Sequence, residues 1–125
     1  MLETKIDIEK TVLLIIDMQN DLIKVEEEPF SGVTNMVRSK GAISNTARVI
    51  AAARQAGMPV IYTNHVHRKD NADVVPTITD LMLQGLASSP REAMVEGTPG
   101  VQVVDELKPA PGDHVIWKRL SLIHI

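Results

Sequence analysis

The sequence predicts an α/β fold: a parallel sheet with flanking helices, arranged in three layers. Three observations predict it. "TVLLIID" (residues 11–17) and "PVIYTNHV" (residues 59–66) are apolar runs of strand length with a β-branched bias. A helical segment with a clear stop lies between them. A third run, "HVIWK" (residues 114–118), follows a second helix-start signal. The order strand, helix, strand, helix, strand is that of a parallel sheet with right-handed crossovers.

Each element has its own reason. Continuous apolar runs suit strands covered on both faces, which is the situation in a parallel sheet. Residues 18–40 are mixed, with acidic Glu26, Glu27 and Glu28 before Pro29, and read mostly as a long loop. "GAISNTARVIAAARQAGMP" reads as a helix, with Ile43, Ala47, Ile50, Ala51 and Arg54 on one side at helical spacing. Gly57 stops it as a left-handed C-terminal cap, and Pro59 follows. Residues 67–76 are polar and loop-like. "TITDLMLQGL" offers a short helix starting at Thr77. In "EGTPGVQVVDELKP", Thr98 as N-cap and Pro99 at the first helical position predict a helix ended by Pro109.

Composition bounds the function. With 125 residues the chain is expected to form a single domain, residues 1–125. Aromatics make up 2% (Phe30, Tyr62 and Trp117), so the core is built from aliphatic side chains. The net charge of −3 comes from intermixed acids and bases, which argues against a nucleic-acid partner. No apolar run approaches the roughly 20 residues that cross a membrane. "MLETKIDIEK" lacks the apolar core of a signal peptide, so a cytoplasmic location is expected. There is no cysteine, which excludes disulfides, thiolate metal sites and a cysteine nucleophile within these residues.

In parallel sheets ligands sit at the carboxyl ends of the strands. Asp17 ends the first strand, Asn64 or His65 the second, and Lys118 the third. A lone Asp at a strand end often only caps the next segment. Asp17 and Lys118 ending two strands on one edge strengthen the functional reading.

"LLIIDMQND", "AARQAGMPVIYTNHVHR" and "EGTPGVQVVDELKPAPGDHVIWKR" together resemble the N-terminal part of the isochorismatase-like cysteine hydrolases. The likeness runs from about residue 11 to Arg119. It implies a three-layer, Rossmann-like fold on a six-stranded parallel sheet, of which this chain is expected to carry the first half. It also implies an Asp–Lys–Cys mechanism, with Asp17 and Lys118 as the catalytic aspartate and lysine. Gln19 would orient the site beside Asp17. Gln19, Asn64 and Arg68 are the candidate substrate-binding residues, Arg68 through its planar fork on a carboxylate.

The implied activity is hydrolysis of a carbon–nitrogen bond in a small amide, ureido or carbamoyl compound, by a homo-oligomer without cofactor. The sequence departs from the family pattern after Lys118. The chain ends seven residues later, in "LSLIHI", before the place of the family's cysteine. The chain alone is therefore expected to be inactive, which leaves a non-catalytic fragment or binding module as one alternative. A metal-assisted nicotinamidase-type amidase is another. There, His65 stands where that branch has an aspartate ligand and His67 matches its histidine, but no third ligand follows, so no metal is expected. In the family sheet the first strand is central, so residues 12–16 are expected to show an unpaired edge.

Overall fold

A computed structural model describes residues 5–27, 31–70, 72–73 and 93–119. Three parallel strands form one sheet: β1 (Leu13–Ile16), β2 (Val60–His65) and β3 (His114–Lys118), in spatial order β1-β2-β3. Leu13 pairs with Val60 and Ile16 with Thr63; Ile61 pairs with His114 and His65 with Lys118. All three strands were legible as apolar runs.

Among the described residues three α-helices accompany the sheet: α1 (Asn20–Ile23), α2 (Ser31–Ser39) and α3 (Ala42–Gln55). The expectation of a long loop over residues 18–40 is corrected by the first two. α1 is one turn, started by the Gln19 carbonyl, which accepts from the Leu22 and Ile23 N–H groups at 3.1 Å each. It buries Leu22 and Ile23. α2 is anchored by buried Thr34, whose hydroxyl accepts the Val25 N–H at 2.9 Å. α3 matches its prediction and buries Ile50 and Ala53, with Ile43 and Ala47 packed beside them. Ala51, expected on that stripe, is exposed. Gly57 has φ +76°, the left-handed cap, and donates to the Arg54 carbonyl at 3.0 Å.

The helix expected after Thr98 is also corrected. Residues 98–108 form two short 3-10 turns, Pro99–Val101 and Asp105–Leu107. The Thr98 hydroxyl donates to the Val95 carbonyl at 2.8 Å and caps nothing. Between the turns the main chain is committed elsewhere. Val103 forms an antiparallel bridge with Gln19, the Val104 N–H donates to the Met18 carbonyl, and the Asn20 N–H donates to the Gln102 carbonyl, both at 3.0 Å. A segment bonded sideways cannot also close helical bonds. The helix read at Thr77 and the "LSLIHI" tail lie outside the described residues.

The core sits on one face of the sheet. Ile15, Val60 and Tyr62 meet Ile50 and Ala53 of α3, with Val104 and Leu107 from the crossover. Tyr62 is fully buried; its hydroxyl donates to the Leu107 carbonyl at 2.9 Å and accepts from Arg54, which also pairs with Asp113. Burial pushes the Tyr62 phenol above its ordinary pKa. Side chains alternate across a strand, so Leu14, Ile16 and Ile116 share the other face, where they are 43%, 47% and 51% exposed. Trp117, on the core-side face of β3, is half-exposed.

Candidate functional site

The carboxyl ends of the strands converge on one ion pair. The Asp17 N–H donates to the Thr63 carbonyl at 2.9 Å, the last main-chain bond that β1 and its extension make to β2. At Asp17 the chain turns away with φ +55°. That left-handed conformation costs an ordinary residue about 1 kcal/mol and Asp less, because its short polar side chain tolerates it. A short contact from the Gln19 N–H to the Asp17 carbonyl, 2.8 Å, closes the turn. The carboxylate then meets the Lys118 ammonium, Nζ lying 2.8 Å from Oδ1 and 3.0 Å from Oδ2. The Lys118 side chain is only 7% exposed and the Asp17 side chain 29%. The pair is therefore held from the lysine side and open from the aspartate side.

The segment after Asp17 is a clamp. The Gln19 carboxamide bonds both main-chain groups of His65 and the Val101 carbonyl. The Asn20 side chain donates to the Pro99 carbonyl at 3.0 Å. The Asp21 carboxylate accepts the Met94 N–H at 2.7 Å and packs against Gly100 so closely that a Cβ there would overlap it. Three consecutive polar side chains thus tie the 94–101 segment to the end of β1. Asp21 and Gly100 were not singled out as partners from sequence. The signal available was a carboxylate two residues after Gln19 and a glycine in a short motif, with nothing to link them across 79 positions.

The other candidates lie around this centre. Asn64 is buried and donates to the Val101 carbonyl at 3.3 Å, the same acceptor Gln19 uses. Arg68 is exposed; its guanidinium pairs with Asp70 at 2.8 Å and its N–H donates to Asp73. The structure thus engages the side chains of Gln19, Asn64 and Arg68 with other protein groups and pairs only the Asp17 and Lys118 side chains with each other.

The His65 and His67 rings lie 4.7 Å apart between centroids. His67 Nδ1 is 4.0 Å from Asp73 Oδ2, and burial holds the imidazole below its ordinary pKa. Burial alone would raise the Asp73 carboxyl; the Arg68 N–H, with His67 and Arg119, holds it below the usual range. Arg119 bridges Asp73 at 3.1 Å and Glu96 at 3.0 Å, joining the loops after β2 and before the first 3-10 turn of the crossover. Among the described residues no group of three or more His, Asp or Glu side chains is arranged to hold a metal ion. Neither Asp17 nor Lys118 lines the cavities of about 540, 390 and 320 Å³, although Asn64 lines the second and Arg119 the third.

Comparison with known proteins gives this edge its context. A family model described as the isochorismatase domain matches residues 11–121. A "probable inactive nicotinamidase" of Arabidopsis thaliana is 37% identical over 98 residues, covering 78% of this chain and 45% of that protein. Ureidoacrylate amidohydrolase RutB of Rhizobium rhizogenes is 28% identical over 117 residues, covering 87% and 48%. Among solved structures, an isochorismatase family protein from Desulfovibrio vulgaris superposes with a TM-score of 0.64 at 30% identity, over 86% of this chain and 51% of that one. N-carbamoylsarcosine amidase from Thermoplasma acidophilum gives 0.58 at 26% identity, over 86% and 51%. The chain spans about half the length of the relatives it matches.

Proposed function

The chain belongs to the isochorismatase family, and from that premise we propose that it supplies the Asp–Lys part of a hydrolase site cleaving a carbon–nitrogen bond. The substrate class is a small amide, ureido or carbamoyl compound. The observation that carries this reading is the Asp17–Lys118 contact at 2.8 Å, formed where β1 and β3 end on one sheet edge. Names among the relatives support the substrate class: an amidohydrolase for a ureido compound and an amidase for a carbamoyl compound.

The chemistry follows from the two groups. A thiol attacks a carbonyl only as its thiolate. A carboxylate in reach accepts the thiol proton, and an ammonium beside it favours the resulting anion. Asp17, with its more open side chain, is the proton acceptor; Lys118, held against it, supplies the fixed positive charge. The thiolate would add to the carbonyl carbon and the amine would leave carrying the proton from Asp17. Water would then hydrolyse the acyl-enzyme. These 125 residues contain no cysteine, so the nucleophile must come from other polypeptide.

Ammonia release tests the reading in two arms. The 125-residue chain should release none from ureido, carbamoyl or nicotinamide substrates. Turnover by this chain that vanishes in Asp17→Ala would overturn the need for an outside thiol. In the second arm the coding sequence downstream of the Arg119 codon is read. A longer product that carries a cysteine should hydrolyse one of these substrates and lose that activity in Asp17→Ala. Undiminished activity in that variant would remove Asp17 from the mechanism.

A further inference from the structure

We infer that Gln19 positions the Asp17–Lys118 pair: its carboxamide replaces the main-chain partner that β1 gives up when it turns away at Asp17. The inference rests on the reading of that pair as the reactive centre.

The last main-chain bond between the two segments is Asp17 N–H to the Thr63 carbonyl. Two residues further along β2, His65 N–H and C=O lie beyond the reach of β1. Gln19 Oε1 accepts the His65 N–H at 2.7 Å, and Gln19 Nε2 donates to the His65 carbonyl at 2.7 Å. A side-chain amide thereby makes the two bonds that a strand residue would have made. The second Nε2 hydrogen goes to the Val101 carbonyl at 2.9 Å, so both amide donors are used. Gln19 is fully buried, and water cannot stand in for any of these partners.

The main chain of Gln19 closes the circuit. Its N–H meets the Asp17 carbonyl, and its carbonyl starts α1. His65 is the β2 residue registered against Lys118. Asp17 is therefore tied to Gln19, Gln19 to His65, the adjoining Val66 N–H to the Lys118 carbonyl at 3.0 Å, and Lys118 back to Asp17. This network lets Asp17 hold a left-handed turn while its carboxylate stays on the ammonium. It also moves Gln19 from substrate contact to support, because the amide has no donor left for a ligand. Only Gln has the length and both functions: Glu and Met cannot donate, and Asn is a methylene short.

The test reads geometry, so it does not depend on turnover. The Lys118 ammonium is followed by nitrogen-15 NMR in wild type, Asp17→Asn and Gln19→Met, with the Tyr62 ring signals as a check of the core. In a folded Gln19→Met chain, solvent exchange of the ammonium should rise at least about tenfold toward the Asp17→Asn rate, the factor one charged hydrogen bond represents. A folded Gln19→Met chain with wild-type exchange overturns the inference and leaves the proposed chemistry standing. Equal exchange in wild type and Asp17→Asn removes the pair, and both readings fall. If Gln19→Met does not fold, amide exchange in wild type decides. A His65 N–H protected as well as that of Tyr62 supports the bridge, and one exchanging like exposed Lys69 overturns it.

Discussion

Gly100→Ala should destabilise the chain because of space and not because of backbone angles. Gly100, unlike Gly57 or Gly97, does not have the positive φ that favours glycine. An added Cβ would instead overlap Oδ1, Oδ2 and Cγ of Asp21. Asp21 cannot simply swing away, because its carboxylate holds the part-buried Met94 N–H at 2.7 Å. Nor can the 99–101 segment easily retreat, since Asn20 holds Pro99 and Gln19 holds Val101. Either the charged hydrogen bond is lost or the packing is strained. Those costs are each of order 1–3 kcal/mol, so about 1–3 kcal/mol is expected for the variant. For a chain of this size that lowers Tm by roughly 4–12 °C. Urea unfolding followed by far-ultraviolet circular dichroism measures it directly. The decisive step is the double variant with Asp21→Ala. With the carboxylate gone the new methyl has room, so the two costs should fall short of their sum by at least about 1 kcal/mol. Strict additivity, or a Tm for Gly100→Ala within about 2 °C of wild type, would refute the argument from steric overlap.

Other perturbations separate the remaining parts. Asp17→Asn keeps a residue that tolerates the left-handed turn but strands a buried ammonium; it should cost about 2 kcal/mol, more than Lys118→Met, in urea titrations. The reverse order would mean that the pair is held from the aspartate side. His67 has a folded-state pKa below its usual 6.5 because of burial. The unfolded chain therefore binds more protons between the two values. This contribution to stability is complete above about pH 6.5 and is lost as the pH falls toward the depressed value. The fall in unfolding free energy from pH 7.5 to 5.5 should be shallower in His67→Gln; identical slopes would assign the effect elsewhere. The exposed Leu14, Ile16 and Ile116, and a β1 edge that no described strand pairs, predict self-association of the isolated chain, since an unpaired apolar edge templates pairing. Light scattering on a size-exclusion column should give a mass above 13.7 kDa, and a sharp monomer peak would count against it.

The strands and α3 were legible because their signals are local. An unbroken aliphatic run, a 3.6-residue stripe and a glycine cap need no knowledge of the rest of the chain. Asp17 and Lys118 were legible for the same reason: each is the first polar residue after such a run. The 98–108 segment misled because Thr98 and Pro99 are a good local start signal. The choice was made by Met18, Gln19 and Asn20, some eighty residues earlier, which bond that segment sideways. α1 and α2 were missed because one is a single turn held by the Gln19 carbonyl and the other is pinned by Thr34 to Val25. The role of Gln19 is of the same kind. Its partners, His65 and Val101, lie 46 and 82 positions away, and both are main-chain groups, which leave no trace in side-chain identity.

The chain has one tyrosine and one tryptophan, and the fold puts them in opposite circumstances. Tyr62 is sealed in the core with its hydroxyl on Leu107; Trp117 is half-exposed on an outer strand. Light therefore interrogates two places separately. The near-ultraviolet dichroism of Tyr62 follows the interior, while the emission colour of Trp117 follows the rim beside Lys118. In a cooperative unfolding the two signals move together; if the rim opens first, the emission reddens while the tyrosine band is still intact. A spectrometer can thus tell loosening at the edge from loss of the interior without any label.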